Sequence, residues 1–211
     1  MGIAQKRVSA LLTPFIEPDK LSDLQFDLID RYLALLLKWN AKINLTAIRD
    51  PAEIVTRHFG ESLFAARHIF YSGSQKLSAV DLGSGAGFPG VPLKIWNASL
   101  RLTLVEANQK KATFLREVIR VLDLDHTRVM AERAESSTDK ADVVTLRAVE
   151  QFERVLPIVA SLVRGNGRLA LLIGDHQVQI ARDSLPRVVW QPAVSVPLSR
   201  RRALLIGTAD L

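Results

Sequence analysis

From Leu77 onward, short apolar runs alternate with longer segments in which apolar residues recur every three or four positions. The runs Leu77–Leu82, Leu102–Val105, Thr127–Ala131, Asp142–Leu146, Gly167–Ile173, Val188–Val194 and Ala203–Gly207 predict seven strands. Helices are predicted over Phe88–Trp96, Gln109–Leu122 and Gln151–Val163. Such alternation gives an α/β fold with a mostly parallel sheet covered by helices on both faces. The last two strands have little helix between them, with Pro192 and Pro197 nearby, which predicts an antiparallel edge pair.

The chain ahead of Leu77 reads differently. Ser22 and Gln25 form a capping box before Leu24, Leu28, Tyr32, Leu35, Leu36 and Trp39, an apolar set at helical spacing. Asn40 and Asn44 favour turns, and Asp50-Pro51 opens a further helix from Ala52 to about Ile69 that carries Arg57, His58 and Glu61. The loop Tyr71–Lys76, YSGSQK, resembles a boundary. The chain is therefore read as a helical region, 1–76, packed on a core domain, 77–211.

The stretch Ala79–Gly90, AVDLGSGAGFPG, carries the chemistry. An apolar run ends in Gly83, Gly85 and Gly87, and a helix follows. Strand, glycine loop and helix in that order make a nucleotide-binding turn, where residues without Cβ allow close approach to the backbone. Asp81, two residues before Gly83, argues against a pyrophosphate and for a ligand bearing an amino group and a sulfonium. Glu106 closes the next apolar run, LTLVE, where a carboxylate can accept both hydroxyls of a ribose. Asp81, the three glycines and Glu106 together describe S-adenosylmethionine.

Composition narrows the setting. The 211 residues include 48% hydrophobic ones, enough for a globular domain with an appendage. With no cysteine, the chain has no disulfide, thiolate metal site or thiol nucleophile. No segment has the length of a secretory signal or a membrane span, so a cytoplasmic protein without membrane or metal partners is expected, acting as a monomer. Net charge is +6, and the residues after 150 hold eight arginines against four acids, with Arg200, Arg201 and Arg202 consecutive. Arginine suits phosphate and stacked bases, so RNA is a candidate partner. Charge alone is equally met by a soluble basic protein.

In an open α/β sheet, ligands sit beyond the carboxyl ends of the strands. That draws attention to Glu132 and Glu135 after the third strand, for an adenine amino group, and to Arg147 after the fourth, where a methyl acceptor would lie. An ion pair with Glu150 is the plain structural alternative for Arg147. Pyrimidine C5 methylation needs a thiolate that is absent. LRAVEQF replaces the Asn/Asp-Pro-Pro-aromatic turn of amino methylation. Lys140 lies before the fourth strand, in the wrong place to activate a ribose hydroxyl. Attack by an atom with a free lone pair, such as guanine N7, needs orientation and no base. A methyltransferase for a small molecule or another RNA, and a binding module without activity, remain open on these grounds.

NLTAI (Asn44–Ile48), RHF and ESL (Arg57–Leu63), DLGSGAGFPGVPL (Asp81–Leu93), VEANQKKATFL (Val105–Leu115), RAE (Arg133–Glu135) and LRAV (Leu146–Val149) follow in order. From about Leu21 to Gly174 the chain resembles the bacterial small-subunit ribosomal RNA guanine-N7 methyltransferases, the glucose-inhibited division B family. The resemblance implies a Rossmann-like class I methyltransferase fold. It also implies S-adenosylmethionine bound by Gly83, Phe88, Ala134, Glu135 and Arg147, with Glu106 on the ribose. The expected substrate is a guanosine in 16S ribosomal RNA, free or in the assembled 30S subunit. Asp81, Gly85 and Gly87 join the cofactor set, Arg147 is the candidate catalytic residue, and Arg57, His58 and Arg200–Arg202 are substrate candidates. Three positions depart from the family pattern: Glu61 for the usual aspartate, Gly60 for a bulkier residue, and Ile173-Gly174 for Lys-Gly.

Overall fold

The computed structural model describes residues 5–70, 76–136, 139–148 and 151–209. The N-terminal helices are α1 (Gln5–Ile16), α2 (Asp23–Asn40), α3 (Pro51–Ile54) and α4 (Glu61–Ile69), with a π-helical turn, Val55–Gly60, between the last two. The sheet strands are β1 (Ser78–Leu82), β2 (Arg101–Val105), β3 (Thr127–Met130), β4 (Ala141–Arg147), β5 (Val163–Gly174), β6 (Val188–Trp190), β7 (Val194–Ser195) and β8 (Arg202–Ala209). Helices α5 (Gly90–Trp96), α6 (Gln109–Leu122), α7 (Phe152–Ser161) and α8 (Gln177–Ser184) connect them. The expected boundary loop lies at 71–75, outside the described residues, as do Val149 and Glu150.

The strand order is β3-β2-β1-β4-β5-β8-β6, with β7 also paired to β8. β1 to β5 run parallel, and β8 inserts antiparallel between β5 and β6. The single strand expected over Val188–Val194 is two, because Gln191-Pro192-Ala193 leaves the ladder, so among the described residues the sheet has eight strands instead of seven. The helix α8 lies between β5 and β6, where the sequence reading placed none; only Ala181 of it is fully buried, too weak an apolar stripe to read.

Strand alternation divides the core. Ala79, Leu102, Leu104, Val143, Ala170 and Leu172 face one way, towards α1, α2, α4, α5 and α6. Val80, Leu82, Val144, Leu146, Leu169 and Leu171 face the other way, towards α7 and α8. The N-terminal helices thus share one apolar core with the sheet. The Ser22 capping box forms as expected: Gln25 Oε1 accepts from Ser22 N at 2.8 Å, and Ser22 Oγ accepts from Gln25 N at 3.3 Å. The buried stripe of α2 is Ile29, Tyr32, Leu33, Leu36 and Asn40, whereas Leu24 is 67% exposed. Gly60 is explained by Phe15: a Cβ there would stand 2.6 Å from its ring. A bulkier residue at 60 requires a smaller one at 15.

Candidate active site

Sheet order reverses at β1, which has β2 on one side and β4 on the other. A crevice opens there, beyond the carboxyl ends of the strands. It is lined by Gly83, Gly85 and Phe88 after β1, Glu106 after β2, Lys111 in the first turn of α6, Arg147 and Ala148 at the end of β4, and Thr46 and His58 from the N-terminal region, and holds about 220 Å³.

The glycine loop is shaped by its neighbours. Gly83, Gly85 and Gly87 take φ of 65°, 59° and 91°, a left-handed conformation costly for other residues. A Cβ on Gly85 would meet nothing closer than Gly83 O at 3.8 Å, so that backbone faces open space. Gly87 turns inward, where a Cβ would be 2.5 Å from Tyr32 Oη, and it does not line the crevice. Tyr32 Oη donates to Ala86 O, tying α2 to the loop. Glu106 does the same from β2: its carboxylate accepts from Gly85 N and Asn108 N, each at 2.8 Å.

Asp81 is not in the crevice. Its carboxylate, 1% exposed, accepts from Thr145 Oγ1 at 2.7 Å and Gly90 N at 3.2 Å, joining β1, β4 and the start of α5. Burial raises its pKa to about 6, against the pull of the Thr145 and Gly90 bonds. Asp81, expected from the sequence to face an amino group of the ligand, is turned by strand alternation onto the foot of α5 and Thr145. Ala134 and Glu135 form a 3₁₀ turn after β3, on the same edge of the sheet but outside the crevice lining. Glu132 Oε1 is buried without a partner among the described residues.

Arg147 is buried and pairs with Glu61 at 2.9 Å; Glu150, the partner considered from the sequence, lies outside the described residues. It also donates to Arg57 O at 2.6 Å and Ser62 Oγ at 3.4 Å. Burial lowers its pKa to about 10 while Glu61 opposes this, so the guanidinium stays charged at neutral pH. Glu61, 1% exposed, also pairs with Arg57 Nε at 3.1 Å and Arg202 Nη1 at 3.3 Å. Three guanidiniums around one carboxylate leave an excess of positive charge. Arg57 and Arg202 line, with Arg200, Arg201 and His176, a second cavity of about 560 Å³ that shares Ala148 with the crevice. The candidate RNA-contacting arginines, far apart in sequence, are therefore gathered beside the crevice.

His58 stands between the two groups. Its ring stacks on Phe88, 4.9 Å between centroids, and Phe88 stacks on Tyr32 at 5.3 Å. Phe88 both anchors the loop and walls the crevice. His58 Nε2 lies 2.8 Å from Thr46 Oγ1, which accepts from Ile48 N at 3.2 Å. Buried Asn40 shapes this loop, accepting from Leu45 N and Thr46 N and donating to Thr46 O. Burial, then the charges of Arg147, Arg57 and Arg202, lower the His58 pKa to about 3. An imidazole depressed below its ordinary value of 6.5 contributes stability that is complete above that pH and is lost as pH falls towards 3. His58 signals in a proton NMR titration should stay neutral between pH 5 and 8, and His58→Gln should remove that part of the acid destabilisation. An ordinary midpoint near 6.5 would contradict the burial.

Thr46, Lys111 and Tyr32 were not singled out as site residues from the sequence. Thr46 and Lys111 sit in NLTAI and VEANQKK, so the motifs marked them without saying what they face. Tyr32 reads only as one member of an apolar stripe.

An aromatic wall, a carboxylate strut, bare left-handed glycines and a buried guanidinium at the switch point of a 3-2-1-4-5 sheet define a Rossmann-like methyltransferase. Solved structures share the fold: the ribosomal protein L11 methylase of Lactobacillus delbrueckii subsp. bulgaricus (TM-score 0.61, 12% identity, 73% of this chain and 79% of that one) and M. jannaschii TYW2 in complex with AdoMet (TM-score 0.58, 12% identity, 80% and 78%). The chain belongs to the rRNA small subunit methyltransferase G (GidB) family, whose model matches residues 25–187. Proteins named ribosomal RNA small subunit methyltransferase G from Xanthomonas axonopodis pv. citri and Roseiflexus sp. are similar to it. The first is 44% identical over 69% of this chain and 68% of its own length, the second 39% identical over 89% and 84%.

The residues present fit S-adenosylmethionine. Gly85 leaves space where a Cβ would intrude, Glu106 offers carboxylate oxygens beside it, Phe88 and His58 give an aromatic face suited to a sulfonium, and Arg147 and Lys111 suit a carboxylate. Glu106→Ala should lower cofactor affinity about 10- to 100-fold in calorimetry, since bonds to a charged acceptor are worth about 1.5–3 kcal/mol each. Binding within twofold of the parent would remove Glu106 from the site.

Proposed function

We propose that this chain transfers a methyl group from S-adenosylmethionine to N7 of a guanosine in small-subunit ribosomal RNA. The observation that carries this is the junction at Ala148, where the crevice meets the arginine-lined cavity. When bound, S-adenosylmethionine supplies a methyl group on positively charged sulfur. The backbone of Gly83 and Gly85 and the carboxylate of Glu106 hold the adenosyl half, with Ala134 and Glu135 at the adenine edge. Arg147, fixed by Glu61, and Lys111 hold the acidic end. Arg57 and Arg200–Arg202 hold RNA phosphates, and His58 and Phe88 wall the space between.

Guanine N7 carries its own lone pair, so no side chain has to remove a proton before transfer. The crevice suits that requirement. His58, with a pKa near 3, is a poor base, Glu106 is committed to two backbone N–H groups, and Arg147 stays protonated. The contribution of the protein is to hold nucleophile and methyl group in line, which can supply most of the rate.

The substrate is taken to be the RNA as presented by the small subunit, and the enzyme a cytoplasmic monomer whose region 1–76 braces the crevice from outside the methyltransferase domain. Among the described residues no helix is long and apolar enough to cross a membrane. Incubating the protein with labelled S-adenosylmethionine and undermethylated small subunits should place label on N7 of one guanosine. Label found only on small metabolites would overturn the assignment. Sedimentation of the free protein and of its mixture with small subunits tests the monomer.

A further inference from the structure

The end of the sheet away from the crevice carries a cavity that the methyl transfer does not use. It lies at the amino-terminal ends of β1 to β4, holds about 460 Å³, and is bounded by Ser78, Arg101, His126, Arg128, Lys140 and Arg164 among others. Two of its arginines are held in place. Arg128 donates from Nε to Thr103 Oγ1 at 3.1 Å and pairs with Asp139, while Arg164 Nη1 is 3.1 Å from both Ser78 Oγ and Asp142 Oδ1. Asp139 and Asp142 are thereby engaged, and Asp142 further accepts from Ser78 N and Oγ at 2.7 Å each. Arg101 and Lys140 are exposed and have no partner among the described residues. The cavity therefore retains two uncompensated cations next to two guanidiniums already fixed by rigid strand ends.

That arrangement matches a phosphodiester. Fixed guanidiniums recognise phosphate oxygens without losing much side-chain freedom, and free cations add the salt-sensitive attraction that dominates RNA binding. Strands of about five residues at ~3.3 Å each put this cavity roughly 17 Å or more from the crevice. A structured RNA can touch both ends at once. We propose that the cavity between Arg101, Arg128, Lys140 and Arg164 is a second docking site for the RNA phosphate backbone, remote from the methyl-transfer crevice. It positions the substrate and takes no part in the chemistry. The choice of RNA depends on the function proposed above.

The test is the double variant Arg101→Ala/Lys140→Ala, whose residues lie outside the crevice and the arginine cavity beside it. Filter binding of labelled small-subunit RNA should weaken about tenfold at moderate salt. The slope of log affinity against log salt should fall by roughly 1.4–1.8, the counterions of two phosphates. S-adenosylmethionine affinity in calorimetry should not change. RNA affinity and slope equal to those of the parent would overturn the proposal. So would saturable binding of AMP or inorganic phosphate that the double variant loses while its RNA binding is untouched, since the cavity would then serve a small anion. RNA binding that weakens as expected, in a parent protein that methylates no RNA, would support the docking site and sink only the proposed activity.

Discussion

Gly85→Val is expected to abolish detectable S-adenosylmethionine binding while the protein remains folded. The two effects separate because a Cβ at 85 would have its nearest neighbour at 3.8 Å, on the crevice side, so the new side chain enters ligand space and not the core. The left-handed φ of 59° costs a β-branched residue about 1–3 kcal/mol, a fall in melting temperature of several degrees for a chain of this length. Gly87 supplies the contrast. Its Cβ would strike Tyr32 Oη at 2.5 Å and crowd Val91 and Leu115, so Gly87→Val should lose the fold along with the ligand. Calorimetry for binding and circular dichroism for melting distinguish the two variants. Cofactor bound by Gly85→Val with parental affinity would mean that the loop has been given the wrong role.

Glu61→Gln should be strongly destabilising. It removes the one carboxylate shared by Arg147, Arg57 and Arg202, and Arg147 is too buried for water to replace it. Breaking a buried pair from one side costs about 3–5 kcal/mol, equivalent to a melting temperature lower by roughly 6–20 °C. Cofactor affinity should fall with it, since the guanidinium loses the partner that aims it at the crevice. Glu61→Asp keeps the charge and should restore most of the stability. Replacing both partners, Glu61→Leu with Arg147→Met, should recover stability without recovering cofactor binding, because two apolar side chains satisfy each other but hold no ligand. If Glu61→Gln melts with the parent, the cluster does not carry the load assigned to it.

Most of the architecture was readable because its signals are local. Period-two and period-3.6 apolar patterns located strands β1 to β5 and helices α5, α6 and α7 within a few residues, and the Ser22 and Asp50 caps marked helix starts by hydrogen bonds that span three residues. What failed locally failed for stated reasons. Leu24 keeps helical spacing yet faces solvent, α8 buries too little to leave a pattern, and Pro192 divides one expected strand.

The glycine loop and Glu106 were determined by the sequence itself, since a left-handed turn after a strand demands particular residues and the next strand must end beside it. Tertiary structure alone decided which acid serves the crevice. Asp81 lies one residue before the end of β1 and Glu106 one residue past the end of β2, and Asp81 points onto Gly90 and Thr145 while Glu106 points to Gly85. It alone decided the partner of Arg147, bringing Glu61 from 86 positions away, and it alone gathered Arg57 with Arg200–Arg202. Backbone conformation depends on residues a few places apart and can be read along the chain. The charge around a site depends on which elements pack together, and that is settled only when the sheet and the helices close on one core.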